Sequence, residues 1–165
     1  MFQQFLSNGF LAIIPVLIWN GVFSSKLPAA FRSDSFEGDV SHFILIGESI
    51  CRYAVFLMPL VLRLKIFTPR GKAGAFVFLL GIWLYFLSWL ALIYVPDSGW
   101  SRGVLGFSAP AYTPPIWLVG IGIMADSYYF NAAYSVWHFM LPSVGFVAFH
   151  LSHVVLVYRG MEYIN

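Results

Sequence analysis

Long runs of apolar residues alternate with short polar connections along the whole chain. The runs lie at residues 5–23, 42–62, 74–94, 115–130 and 133–158. A helix needs about 20 largely apolar residues to cross the hydrocarbon core of a bilayer, and all the runs except 115–130 reach about that length. We therefore predict an all-α fold, a polytopic transmembrane helical bundle that forms one integral membrane domain over residues 1–165.

The fourth run decides whether the chain crosses the membrane five times or four. Its apolar stretch, PIWLVGIGIMA, is short, and Gly120, Gly122 and Asp126 weaken it as a span. We favour five spans, with residues 115–130 as a short fourth helix. The alternative is four spans plus a re-entrant or interfacial segment at this position. Pro15 and Pro142 fall inside other runs, where neighbouring groups can satisfy the carbonyl that proline frees.

Composition agrees with a lipid environment. Hydrophobic residues make up 60% of the 165 positions and charged residues 10%, whereas soluble domains are about 25% charged. A chain this short cannot bury so much apolar surface in its own core. The single cysteine, Cys51, excludes an intrachain disulfide and a CxxC motif. The net charge of +2 comes without a basic nucleic-acid motif, so the expected partners are the lipid bilayer and a second copy or another membrane protein.

Charge in the connections predicts orientation. The connection from Arg63 to Lys72 carries four positive charges and no acid, whereas connections 24–41 and 95–114 mix both signs. Short loops rich in Lys and Arg remain on the cytoplasmic side. We predict that this loop and the N-terminus face the cytoplasm or the equivalent compartment. The membrane would be a bacterial plasma membrane or an organelle inner membrane.

Two charged residues interrupt the second run. Glu48 and Arg52 lie four positions apart, so on a helix they share one face and can pair. A charge near the bilayer centre costs at least ~2.5–3.5 kcal/mol on insertion scales. The pair must therefore face the protein interior or a wet cavity. It is either part of a functional site or a structural ion pair that fixes helix register or holds a partner subunit.

Histidines in the last run can meet this pair. At 100° per residue, the side chains of His138, His150 and His153 fall within an arc of about 120°. With five spans, His150 and His153 share the outer half of the membrane with the pair, whereas with four spans only His138 reaches that layer. We predict a ligand-binding or proton-relay site, open toward the outer side, formed by Glu48, Arg52, His138, His150 and His153.

The outer connection 95–114 is long and rich in Gly and Pro, and it carries Trp100, Phe107 and Tyr112. Loops of this length are frequently functional. We interpret these aromatic residues as a possible lid at the level of the lipid headgroups. An interfacial anchor without a ligand role is the alternative.

No catalytic motif stands out, and the chain is more simply interpreted as a non-enzyme. A metal site needs three or more convergent ligands, so we predict neither metal nor cofactor, while haem or metal at His42, His150 and His153 stays open. The favoured function is binding or transport of a small or lipid-like ligand, or of protons. The alternatives are an accessory subunit of a larger membrane complex and, third, an intramembrane enzyme.

Overall fold

The computed structural model describes residues 7–31 and 40–162, and this part of the chain is mostly helical. Four longer helices are α1 (Phe10–Phe23), α2 (His42–Leu57), α3 (Pro69–Tyr94) and α8 (Val136–Glu162). Between α3 and α8 lie α4 (Gly99–Arg102), α5 (Val104–Phe107), α6 (Ala109–Tyr112) and α7 (Pro114–Met124). Short 3₁₀ turns occupy Ser24–Lys26, Ala29–Phe31 and Met58–Leu60, and the strands are β1 (Leu62–Leu64) and β2 (Ala125–Tyr128).

Within the described residues, three helices are long and apolar enough to cross a membrane. They are α2 with its following turn (His42–Leu60), α3 (Pro69–Tyr94) and most of α8 (Val136–Met161). Large apolar side chains on their outer faces are exposed, among them Phe43, Trp83 and Leu141, as expected where lipid is the solvent. The transmembrane prediction is therefore supported for three helices. Residues 5 and 6, where the first predicted span begins, lie outside the described residues.

The sheet joins several helix ends. β1 pairs antiparallel with β2, with Leu62 opposite Tyr128 and Leu64 opposite Ala125. Before α1, the backbone N–H of Gly9 donates to the carbonyl of Leu62 at 3.0 Å. The chain therefore brings together the ends of α2 and α7 and the starts of α1, α3 and α8. We call this region the strand end of the bundle; α2 and α7 run toward it and the other three helices run away from it.

Capping explains why α3 begins before the predicted residue 74. The Thr68 hydroxyl accepts a hydrogen bond from the backbone N–H of Gly71 at 3.0 Å, and Pro69 occupies the first helical position. A threonine cap followed by proline is a favoured helix start, because the proline lacks an N–H that would otherwise need a partner. The basic residues of this connection therefore extend into the first turn of α3.

The fourth segment differs most from the prediction. The helix expected over residues 115–130 ends at Met124, and the chain continues as β2. The connection before it is not a plain loop, because it forms the single-turn helices α4, α5 and α6. The Ser101 hydroxyl donates to the carbonyl of Ala91 at 3.2 Å, and Trp117 lies against Gly81. Residues 101–124 thus run antiparallel to α3 over much of its length.

Glycines set the separation of α3 and α7. A Cβ atom on Gly81 would lie 2.3 Å from the backbone nitrogen of Trp117, and one on Gly120 would lie 2.4 Å from that of Phe78. Only glycine fits such an approach, which is the small-residue packing typical of membrane helices. Gly120 reduces the apolar character of this segment, yet in the structure it allows the segment to pack closely.

Candidate functional site

The carboxylate of Glu48 is the centre of a buried polar cluster. Glu48 is 1% exposed and lies within α2, one of the three helices apolar enough to cross a membrane. A guanidinium N–H of Arg52 donates to its Oε1. Nδ1 of His150 lies 3.0 Å from the same oxygen, and Nδ1 of His153 lies 2.6 Å from Oε2. We call these four residues the Glu48 cluster.

Two helices build the cluster. Arg52 follows Glu48 by one turn of α2, and His150 and His153 are one turn apart on α8, so each helix presents a pair on one face. The helices approach closely on either side of Glu48. A Cβ on Gly47 would lie 2.5 Å from the ring of Phe149, so the glycine leaves space for that ring.

The contacts with Glu48 indicate a tautomer for each imidazole when Glu48 is ionised and the histidine is neutral. An ionised carboxylate only accepts hydrogen bonds, so each neutral histidine carries its hydrogen on Nδ1 and keeps a lone pair on Nε2. Histidine orientation by a carboxylate is a common arrangement at functional histidines. Counting Glu48 as −1, Arg52 as +1 and both histidines as neutral, the described groups of the cluster sum to zero charge.

A cavity of about 250 Å³ lies beside the cluster. Residues of α1, α2, α3, α6, α7 and α8 form its wall, among them Pro110 of α6 and Pro114 of α7. We call it the central cavity. Its polar lining consists of Asn20, Arg52, Tyr85 and His150, and its aromatic lining of Phe56, Trp89, Trp117 and Phe146.

A second cavity, of about 350 Å³, lies on the other side of α2. Glu48, Ser49, Tyr53 and His153 line it together with apolar residues of the same helix. We call it the lateral cavity. Arg52 lines both cavities, and almost half of its side chain is exposed. The two histidines of the cluster therefore border different cavities while sharing one carboxylate.

Asn20 and Tyr85 were not among the predicted site residues. The Tyr85 hydroxyl donates to Oδ1 of Asn20 at 2.7 Å, which joins α1 to α3 at the wall of the central cavity. The available signal was Asn20 itself, an amide that ends the apolar stretch FLAIIPVLIW. Tyr85 carried no comparable signal, because aromatic residues are frequent throughout α3.

The structure places His138 and His42 away from the cluster. His138 lies near the start of α8, where its Nδ1 is 2.8 Å from the hydroxyl of Tyr128 at the strand end. It is 15 residues before His153, which corresponds to about 22 Å along the helix. His42 is exposed at the first residue of α2, six residues before Glu48.

The aromatic residues of the predicted lid have different surroundings. Phe107 is 5% exposed and packs between Phe31 and Tyr158, with ring centroids 4.5 and 5.4 Å away. Trp100 is exposed, and Tyr112 is half-buried. Phe107 is therefore part of a small apolar core around α5 rather than a ring on the surface.

The described residues do not form a metal-binding cluster. Among residues 7–31 and 40–162, no group of three or more His, Cys, Asp or Glu side chains is arranged to hold a metal ion. In the Glu48 cluster, the carboxylate and both Nδ1 atoms face one another in hydrogen bonds.

Comparison of the chain with protein-family models, with curated proteins and with solved structures finds no match. Functional inference therefore depends on the geometry of the site.

Proposed function

We propose that the chain is a multi-pass membrane protein that binds a small amphiphilic ligand in the central cavity. The polar part of the ligand would meet Arg52, His150 and Asn20, and its apolar part would meet the aromatic wall. The observation that carries this proposal is that Arg52 and His150 of the Glu48 cluster line a cavity to which all four longer helices and α7 contribute. Pockets between helices of a bundle, apolar with a few polar groups, are typical ligand sites.

A purely structural ion pair explains less of this arrangement. Burying ionised groups is costly unless they are paired and hydrogen-bonded, and the pairing of Glu48 with Arg52 already offsets part of that cost. Two further histidines and an open space beside them are not needed for that purpose. They suit a site that orients a polar molecule within the membrane, where intramembrane charges commonly mark ligand or ion pathways.

We further infer five crossings, with residues 101–124 as a broken fourth one. At ~1.5 Å per residue α7 is only about 16 Å long and cannot cross a bilayer of about 30 Å alone. Short turns at membrane depth are tolerated when they are buried in protein or line a cavity. Pro110 and Pro114 meet that condition, because both are buried and both line the central cavity.

Cysteine labelling tests the crossings. In a Cys51→Ser background, single cysteines at Phe67, Gly99 and Gly160 report the connection before α3, the start of α4 and the end of α8, and all three positions are exposed. With five crossings, a membrane-impermeant maleimide applied to sealed vesicles labels Gly99→Cys and Gly160→Cys from the same side, and Phe67→Cys from the other. Labelling of Gly160→Cys together with Phe67→Cys would contradict five crossings.

Copurification tests the ligand. The full chain is purified in mild detergent, and bound small molecules are extracted and identified by mass spectrometry. We expect a molecule that is retained by the wild type and lost from the double variant Glu48→Gln with Arg52→Met, which removes both charges together. Asp97→Asn, an exposed acid of the outer connection, is the matched control and should retain it.

The same preparation distinguishes the proposed ligand binding from the alternative function, an accessory subunit of a larger membrane complex. A subunit whose ion pair contacts a partner would copurify with another membrane protein and carry no small molecule. The double variant would then dissociate from that partner. Size-exclusion chromatography with mass spectrometry distinguishes this result from loss of a ligand by an otherwise unchanged protein.

A further inference from the structure

The wall of the central cavity is largely aromatic. The ring centroids of Tyr85 and Trp89 are 5.8 Å apart, and the ring of Phe146 stacks on His150 at 5.3 Å with an interplanar angle of 9°. Aromatic walls favour flat ligands, which they contact by stacking or edge-to-face packing. A cavity of about 150 Å³ in another protein holds benzene, so about 250 Å³ has room for one or two fused rings.

The polar groups around this space are mainly hydrogen-bond donors. Oδ1 of Asn20 already accepts from the Tyr85 hydroxyl, which leaves the two amide N–H groups of Asn20 as its donors. Arg52 has N–H donors and no acceptor. A ligand that matches Asn20 and Arg52 therefore carries oxygen acceptors.

Charge decides which kind of acceptor fits. With Glu48 counted as −1, Arg52 as +1 and both histidines as neutral, the Glu48 cluster sums to zero charge, and Arg52 is already paired with Glu48. An anionic ligand would bring an unbalanced charge into a low-dielectric site, which is unfavourable. A cationic ligand would meet the guanidinium of Arg52. Neutral carbonyl oxygens satisfy the donors without adding charge.

From these three observations we infer that the ligand of the central cavity is a neutral, flat ring system bearing carbonyl oxygens, of the quinone type. The inference depends on the proposed function and names the ligand class for it. One carbonyl oxygen would accept from Asn20 and Arg52, and the ring would lie among Trp89, Trp117 and Phe146.

Three bicyclic probes of similar size test the ligand class. Naphthoquinone carries neutral carbonyls, naphthalene carries no acceptor, and naphthoate carries a negative charge. Binding to the purified full chain is measured by equilibrium dialysis against matched empty micelles, which corrects for partition into detergent. We expect naphthoquinone to bind about tenfold more tightly than naphthalene, with naphthoate the weakest of the three.

Variants test whether the preference for naphthoquinone over naphthalene arises in the central cavity. Asn20→Leu should bring the affinity for naphthoquinone close to that for naphthalene, while retained naphthalene binding shows that the cavity is folded. Asn131→Leu, an exposed amide beyond β2, is the matched control and should keep the tenfold preference.

Other results would overturn the inference. Equal binding of naphthalene and naphthoquinone, preferred binding of naphthoate, or an unchanged preference in Asn20→Leu would reject the ligand class but leave a ring-binding cavity. Failure of all three probes also rejects the ligand class. If the wild type in addition carries no copurifying small molecule, the proposed function fails as well.

Discussion

Oε2 of Glu48 lies 2.6 Å from Nδ1 of His153, although the two residues are 105 positions apart in the chain. This contact, together with that of His150, connects α2 to α8 through a single carboxylate. The carboxylate holds both histidines in place, and each of them borders a different cavity. Stability and ligand binding should therefore both depend on Glu48.

Removing the carboxylate alone should be strongly destabilising. Glu48→Ala leaves the guanidinium of Arg52 without its acidic partner, and breaking a buried pair on one side costs about 3–5 kcal/mol. Since Arg52 is partly exposed, we expect the lower part of this range. Adding Arg52→Met to Glu48→Ala should recover part of the loss. Equilibrium unfolding in detergent measures both, and equal stability of the single and double variants would contradict the pairing.

The packing of α3 against α7 should not accept a side chain at its closest points. Gly81→Ala and Gly120→Ala each place a methyl group against backbone atoms that cannot move independently, and such overpacking typically costs about 1–3 kcal/mol. Gly21→Ala in α1 is the matched control, because nothing lies within 4 Å of its Cβ position. It should be neutral or slightly stabilising. Thermal unfolding midpoints compare the three variants.

The hydrogen bond between Tyr85 and Asn20 should contribute measurably to stability. Tyr85→Phe removes the donor and leaves Oδ1 of Asn20 without it, so we expect a loss of about 1 kcal/mol. Tyr53→Phe is the control, because Tyr53 is exposed and should change the free energy of unfolding little. A similar loss in both variants would show that the phenol–amide contact does not stabilise the fold.

The single-turn helices α4, α5 and α6 should depend on Phe107 for their packing. Phe107→Ala removes a ring that lies between Phe31 and Tyr158, and truncation of a buried phenylalanine costs about 3 kcal/mol or more. Leu105→Ala, on an exposed neighbour in the same turn, should have a much smaller effect. Limited proteolysis of the connection 95–114 provides the comparison: faster cleavage in Phe107→Ala alone supports a packing role, and equal cleavage would contradict it.

The predictions that relied on helix periodicity correspond well to the structure. The 3.6-residue repeat placed Glu48 with Arg52 and His150 with His153, and the apolar runs located the long helices. The five-span prediction, in which the last helix runs away from the connection Arg63 to Lys72, also placed these two pairs at a similar depth in the membrane. Their roles in binding or proton transfer stay predictions.

Other features depend on contacts that periodicity does not reveal. His138 shares an arc with His150 and His153, but an angular argument ignores distance along the helix axis. The short strands follow from backbone hydrogen bonds between segments more than 60 residues apart, and no side-chain pattern marks them. Asn20 joins the cavity because Tyr85 of another helix reaches it, a relationship that becomes visible only once the helices are packed.

The spacing of Glu48 and Arg52 also matters during biosynthesis. Ribosomes add about 5–20 residues per second, so His150, 102 positions after Glu48, is synthesised about 5–20 seconds after the acid. Arg52 follows the acid by a single helical turn and arrives almost with it. Glu48 can thus pair with Arg52, without net charge, before the imidazoles of α8 are synthesised.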